Sequence, residues 1–176
     1  IVFGEVNPSG KLPITVPYSV GHLQSIYNHK PSALIRRYAD APTKNLHEFG
    51  DGLSYTDFEY GQARLSRSNI NKSESTKLSV TISNTGKRAG DEVVQLYIRD
   101  DYSLVTRPVK ELKGFTRVSL EPSEKREIHF DITPDMLAYY DIDMNWQVEA
   151  GDFTIMVGGS SRDRDLELVK LTVQSD

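Results

Sequence analysis

The second half of this chain alternates apolar and polar residues with period two in run after run, and few folds accept that pattern. Leu78, Val80 and Ile82 alternate first, and Asn84-Thr85-Gly86 then turns the chain. Val94, Leu96 and Ile98 follow, then Val118 and Leu120, then Ile128, Phe130 and Ile132. Phe153, Ile155 and Val157 make another set, closed by Gly158-Gly159-Ser160-Ser161, and Val169, Leu171 and Val173 end the series. Successive side chains of a strand point to opposite faces, so each set lays one apolar stripe on one side of a sheet. Short alternating strands with turn signals between them predict an all-β, antiparallel β-sandwich from about residue 63. The same parity puts Leu96 in the core and Gln95 on the opposite face, where truncation would cost little. Thr133-Pro134-Asp135-Met136-Leu137 is the one helical signal in this half, with Thr133 as N-cap and Pro134 in the first turn.

The first half reads differently. Asn7-Pro8-Ser9-Gly10 marks a turn, and Pro13 and Pro17 leave the stretch between them extended or at an edge. Residues 19–48 hold neither period for long. Tyr27, Tyr38 and Leu46 are isolated apolar anchors, and at most a short helix fits near 20–26. A stretch this long with little regular structure is unusual within a compact domain, and fits a segment that packs on a neighbour. Between the halves runs Phe49-Gly50-Asp51-Gly52-Leu53-Ser54-Tyr55-Thr56-Asp57-Phe58-Glu59-Tyr60. Its glycines open backbone angles closed to other residues. Its aromatics are too apolar for a solvated loop, so Tyr55, Phe58 and Tyr60 are expected to be at least half buried. The run reads as a rigid hinge between two bodies. Gly52 is expected to have a positive φ or to lie against a neighbouring backbone.

Bulk properties narrow the function. The 176 residues suit one domain plus extra segments, and 38% hydrophobic with 26% charged residues is a globular balance. A net charge of −4, from 21 basic and 25 acidic residues, gives no electrostatic case for nucleic acid or an anionic membrane as partner. With no cysteine, disulfides and thiolate metal sites are excluded. The start at Ile1-Val2-Phe3-Gly4 reads as the interior of a longer protein.

Several residue groups have the right chemistry for a site. Asp141-Ile142-Asp143-Met144-Asn145 spaces oxygens like a calcium loop, but Trp146 stands where that loop needs glycine and Asp152 where it needs glutamate. A hairpin turn is the reading taken, and no metal or other cofactor is expected. His22, His29, His47 and His129 share no metal spacing. His129, between Ile128 and Phe130, should face solvent. Tyr27-Asn28-His29-Lys30 groups donors with an aromatic and can either touch a sugar or tie two domains; the tie is favoured. Trp146, beside Tyr139 and Tyr140, is expected to pack at the core or a sheet edge rather than to form a sugar platform. The loop from Asp100 to Pro108, with Arg107, is the place where the sandwich would meet a partner domain or approach a substrate.

Taken together, these motifs resemble the C-terminal part of family 3 glycoside hydrolases, the β-glucosidase and β-xylosidase group. The hinge resembles that family's Phe-Gly-x-Gly-Leu-Ser-Tyr-Thr-x-Phe-x-Tyr segment, with Asp51 at a place where an aromatic is usual. Gly90–Tyr97, Arg107–Phe115, Tyr140-Asp141 and Gly151-Asp152-Phe153 resemble its fibronectin type III-like domain. Phe3–Pro13 and Tyr27–Lys30 resemble the end of its α/β sandwich domain. The resemblance implies three parts. Residues 1–48 would be the incomplete tail of the α/β domain, 49–62 an aromatic linker, and 63–176 the fibronectin type III-like sandwich. It implies a parent that hydrolyses β-linked sugars with retention, using two carboxylates about 5 Å apart. Both would lie upstream, so no catalytic residue is nominated and the chain alone is expected to be inactive. The implied partners are the upstream catalytic domains and, through them, an oligo- or aryl-β-glycoside, in a periplasmic or secreted parent. Tyr27, Asn28, His29 and Lys30 are the candidates nearest substrate. Phe49, Tyr55, Phe58, Tyr60 and Arg107 are the candidates for the domain interface. The alternative is a free-standing β-sandwich module that binds carbohydrate or protein.

Overall fold

A computed structural model describes residues 1–22, 25–31 and 40–175. The helix expected near 20–26 includes Leu23 and Gln24, which lie outside the described residues, as does the Tyr38 anchor. The regular structure comprises β1 (Phe58–Tyr60), β2 (Arg64–Leu65), β3 (Asn69–Asn71), β4 (Thr76–Asn84), β5 (Gly90–Asp100) and β6 (Glu111–Leu120). It continues with β7 (Lys125–Ile132), α1 (Pro134–Leu137), β8 (Tyr139–Tyr140), β9 (Trp146–Gln147), β10 (Gly151–Gly158) and β11 (Leu166–Gln174). Phe58–Tyr60, within the run read as a linker, pairs with β4. Among the described residues no helix is long and apolar enough to cross a membrane.

Two sheets face each other. In the smaller, β4 pairs with β7 on one side and with β1 and β2 on the other. The larger runs β3-β11-β10-β5-β6. All pairs described are antiparallel except β3 with β11, a short parallel edge. The core is what the alternation predicts: Leu78, Val80 and Ile82 of β4 face Val94, Leu96 and Ile98 of β5, with Phe153, Ile155, Val157, Leu171 and Val173 beside them. α1 forms the expected single turn with Pro134 at its start, although the Thr133 side chain makes no capping bond. His129 is exposed on β7 and bonds to Ser79 at 2.9 Å.

Two expectations are corrected. Gln95 lies on the outer face of β5 as parity requires, yet it is only 3% exposed. Parity assigns a face and says nothing of what covers it, and here residues from the first half of the chain cover the outer face. Trp146 does not pack in the core or flush against a sheet edge. It sits in a separate two-stranded hairpin, β8 with β9, and is 51% exposed.

Candidate functional site

The first half of the chain folds back on itself before it meets the sheet. The Gly50 N–H donates to the Leu12 carbonyl, the Leu12 N–H to the Asp51 carbonyl, each at 2.8 Å, and Val16 bridges to His47. This doubled segment lies on β5 and β10. Gln95 Nε2 donates to the carbonyls of Gly50 (3.3 Å) and Gly159 (2.5 Å), and its Oε1 accepts the Tyr97 hydroxyl at 2.5 Å. Gly50 has φ +82°, which strains any other residue, and a Cβ there would stand 2.2 Å from Gln95 Oε1 and displace that amide from its bonds. The Ser161 N–H reaches the Phe49 carbonyl at 2.9 Å.

Most buried polar groups around this seam are paired, as burial demands, the Thr15 and Ser161 hydroxyls being the exceptions among the described residues. Glu92 accepts from Lys11 Nζ at 3.1 Å and from the Tyr60 hydroxyl at 2.9 Å. Burial first, then the Glu92 charge, pushes the Tyr60 phenol far above the ordinary tyrosine range. The Tyr97 phenol is pushed up in the same way, by burial and then by Tyr27 and Asp51. Lys110, almost wholly buried, donates to the Ser161 carbonyl at 2.8 Å and to Asp163. Asp51, where the resemblance leads one to expect an aromatic, accepts the Glu48 N–H at 3.0 Å and pairs with Arg162. An ion pair thus stands where ring packing was expected.

The apolar half of the seam is a small second core. Tyr27 stacks on Phe49 with ring centroids 4.2 Å apart and meets Tyr97 edge-on at 5.8 Å. Met156, Leu166 and Leu112 complete it. The Tyr27 hydroxyl accepts the Leu112 N–H at 3.3 Å, and the His29 carbonyl accepts the Val109 N–H at 2.9 Å. His29 Nδ1 bonds the Lys30 carbonyl at 3.0 Å. In the quartet Tyr27–Lys30, two members therefore face the sandwich, while Asn28 and Lys30 are exposed.

The hinge closes the other end of the segment. Asn7 Oδ1 accepts from the Ser54 hydroxyl (3.0 Å) and the Tyr55 N–H (2.7 Å), while its amide donates to the Ala89 carbonyl at 3.0 Å. The Thr56 hydroxyl donates to Asn84 Oδ1 at 2.6 Å, and Asn84 Nδ2 donates to the carbonyls of Arg88 and Leu120. Phe58 and Tyr60 pack against the main core, and Tyr55, 46% exposed, bonds the Ile1 carbonyl at 2.7 Å. Gly52 has no positive φ; a Cβ there would lie 2.5 Å from the Gly10 carbonyl oxygen, the close approach that its position requires.

Arg107 sits apart from this seam, inside one end of the sandwich. It donates to Asp100 (3.1 Å), Glu111 (3.0 Å) and the Leu137 carbonyl (3.1 Å), 5.2 Å above the Tyr139 ring. Burial raises the Asp100 carboxyl above the usual range, and the Arg107 charge opposes that rise. Sequence reasoning missed Gln95, Glu92, Lys110 and Asn84. Their signal was only that polar residues stood in otherwise strand-like runs. The groups assembled here suit holding surfaces together: Glu92 and Asp100 are each matched to a cation, and the aromatics are stacked on one another.

Residues 92–161 match the family model of the fibronectin type III-like domain. The chain is 45% identical over 163 residues to a putative β-xylosidase of Formosa agariphila, covering 93% of this chain and 22% of that protein. It is 41% identical over 175 residues to thermostable β-glucosidase B of Acetivibrio thermocellus, covering 93% and 23%. Among solved structures, a β-glucosidase from Erythrobacter marinus matches 99% of this chain and 23% of that chain, with a TM-score of 0.94 at 42% identity. The chain therefore spans less than a quarter of the length of these relatives.

Proposed function

The chain belongs to the family 3 glycoside hydrolases, as a C-terminal part of one, and on that footing we propose that it is the accessory scaffold of a retaining β-glycosidase. The parent would hydrolyse terminal β-linked sugars, and the chain itself would be catalytically inactive. On this reading residues 1–48 are the tail of the α/β domain, 49–62 the linker and 63–176 the fibronectin type III-like sandwich. One observation carries it: the N-terminal segment has two working sides. One side is bonded to β5 and β10 as described. The other leaves the large apolar side chains of Ile1, Val2, Phe3, Val6 and Leu53 exposed. The upstream domains are the cover proposed. Phe49, Phe58 and Tyr60 then act from the sandwich side, Tyr55 spans both, and Arg107 stiffens the far end of the sandwich. Asn28 and Lys30 are the members of their quartet through which the segment would approach substrate.

The experiment compares this chain with its full-length parent on aryl β-glucosides and β-xylosides. The parent is expected to turn over one or both, and this chain, at high concentration, neither. Turnover by the chain alone that survives re-purification would overturn the scaffold reading. So would a parent that is inert towards both classes.

A further inference from the structure

Asp51, the residue that departs from the family pattern, is followed by glycine. Asp51-Gly52 is the one Asp-Gly pair in the sequence, which has no Asn-Gly. Such a pair can close on itself, because glycine has no Cβ to shield its own amide. The Gly52 nitrogen attacks Cγ of the protonated Asp51 carboxyl. The N–Cγ bond forms, the Cγ–OH bond breaks, and the hydroxyl leaves with the amide proton as water. Water then adds back to the succinimide ring. Addition at Cγ restores aspartate. Addition at the main-chain carbonyl gives isoaspartate, with the backbone rerouted through Cγ and one methylene longer. The fold restrains this reaction. The Asp51 N–H donates to the Glu48 carbonyl at 3.1 Å, and the Asp51 carbonyl accepts the Leu12 N–H at 2.8 Å, so the backbone is pinned on both sides. Its carboxylate accepts the Glu48 N–H at 3.0 Å and the Arg162 guanidinium. His47 Nδ1 stands 4.0 Å from the same oxygen, and Asp165 lies 3.7 Å from Arg162. The attacking group is not restrained in this way: among the described residues nothing bonds the Gly52 N–H.

We propose that Asp51 is a covalent modification site, converted to isoaspartate when the seam between segment and sandwich opens, and that Arg162 guards it while the seam is closed. The carboxyl carbon can swing onto the Gly52 nitrogen only after the Arg162 and Glu48 bonds break, and the backbone can turn only after Leu12 lets go. All of these partners belong to the seam, so the reaction reports its opening. The product makes that opening one-way. The Gly50 N–H and the Asp51 carbonyl both bond Leu12, and a backbone lengthened between them cannot keep both bonds together with the Arg162 pair. A transient separation thus becomes a permanent loosening, the kind of chemical event that makes unfolding irreversible. The inference concerns the seam alone and is independent of what the parent hydrolyses.

The test holds the chain warm in mildly acidic buffer, where aspartate isomerisation outruns asparagine deamidation. Peptide mapping with electron-transfer fragmentation reads the isoaspartate formed at position 51. Conversion in denaturant should be roughly tenfold faster or more than in the folded chain, because only the open state reacts. Arg162→Leu should speed conversion of the folded chain about fivefold, the worth of one ion pair near the surface, and leave the rate in denaturant unchanged. Arg162→Lys, which keeps the charge, should stay closer to the original chain. Arg162→Gln takes the place of Arg162→Leu if leucine unfolds the protein. The isomerised protein, separated by chromatography, should melt several degrees lower. Equal rates for the unsubstituted chain folded and in denaturant would overturn the proposal, and that comparison needs no variant. So would a folded variant without the Arg162 charge that converts no faster, or an isomerised protein that melts like the original.

Discussion

Replacing Arg107 with methionine is expected to destabilise the chain by about 3–5 kcal/mol, the usual result of removing one partner of a buried ion pair. The Arg107 and Asp100 side chains are 9% and 2% exposed, so the loss strands a carboxylate in the sandwich end. It also leaves the Leu137 carbonyl without the guanidinium bond that accompanies α1. The pH dependence identifies the cause. Burial already raises the Asp100 carboxyl in the folded state, and without Arg107 it rises further. A carboxyl with a raised folded value takes up its proton more readily when folded than when unfolded. The variant should therefore regain stability as pH falls from neutral through that raised value, towards the unfolded value of about 3.9. Denaturant unfolding at several pH values measures this. Arg107→Met combined with Asp100→Asn should recover much of the loss at neutral pH. A deficit that ignores pH and the second substitution would mean that Arg107 acts through packing alone.

Leu96→Ala should cost about 2–5 kcal/mol, as truncation of a buried leucine does. Leu96 has no exposed surface and lies between the two sheets. Gln95→Ala, which parity alone marks as cheap, is expected to cost about 1–3 kcal/mol. The truncation leaves the Tyr97 hydroxyl without its acceptor and the Gly50 and Gly159 carbonyls without their donor. The two losses should also differ in kind. In a variant that lacks the N-terminal segment the Leu96 penalty should persist, and the Gln95 penalty should shrink, because its partner Gly50 is gone and its remaining bonds, to the Tyr97 hydroxyl and the Gly159 carbonyl, then compete with water. Chemical denaturation of the four variants, each against its own unsubstituted parent, supplies the comparison. A Gln95 penalty undiminished by removal of the segment would place its cost within the sheet.

The sandwich was legible in the sequence because its core depends on parity. Leu78 to Ile82, Val94 to Ile98 and Phe153 to Val157 face inward as the alternation requires. What parity cannot encode is a third layer. Gln95, Tyr97 and Met156 sit at outward positions, and only contacts across dozens of residues, with Phe49, Gly50 and Tyr27, bury them. The hinge was legible as a close-packed run because glycine and aromatic side chains state their needs locally. Gly50 adopts the left-handed angle, while Gly52 is used for close approach. Trp146 was misread because a lone tryptophan among tyrosines looks the same in sequence whether its strand belongs to the main sheet or to a projecting hairpin. Arg107 was noticed for its place in a loop, yet its partners Asp100 and Glu111 lie on the two flanking strands and could be matched only once β5 and β6 were paired.

The central claim is that the N-terminal segment ties the sandwich to the rest of a glycosidase and takes no part in chemistry. Tyr27 tests it most directly, because it is both a ring in the small second core and a member of the quartet considered for substrate contact. Tyr27→Ala in the full-length parent, followed by thermal unfolding and steady-state kinetics, separates the two roles. The account predicts a melting temperature several degrees lower, in line with lost aromatic burial, and a near-normal kcat in the protein that remains folded. An unchanged melting temperature with a large fall in kcat would contradict it and place Tyr27 at the substrate.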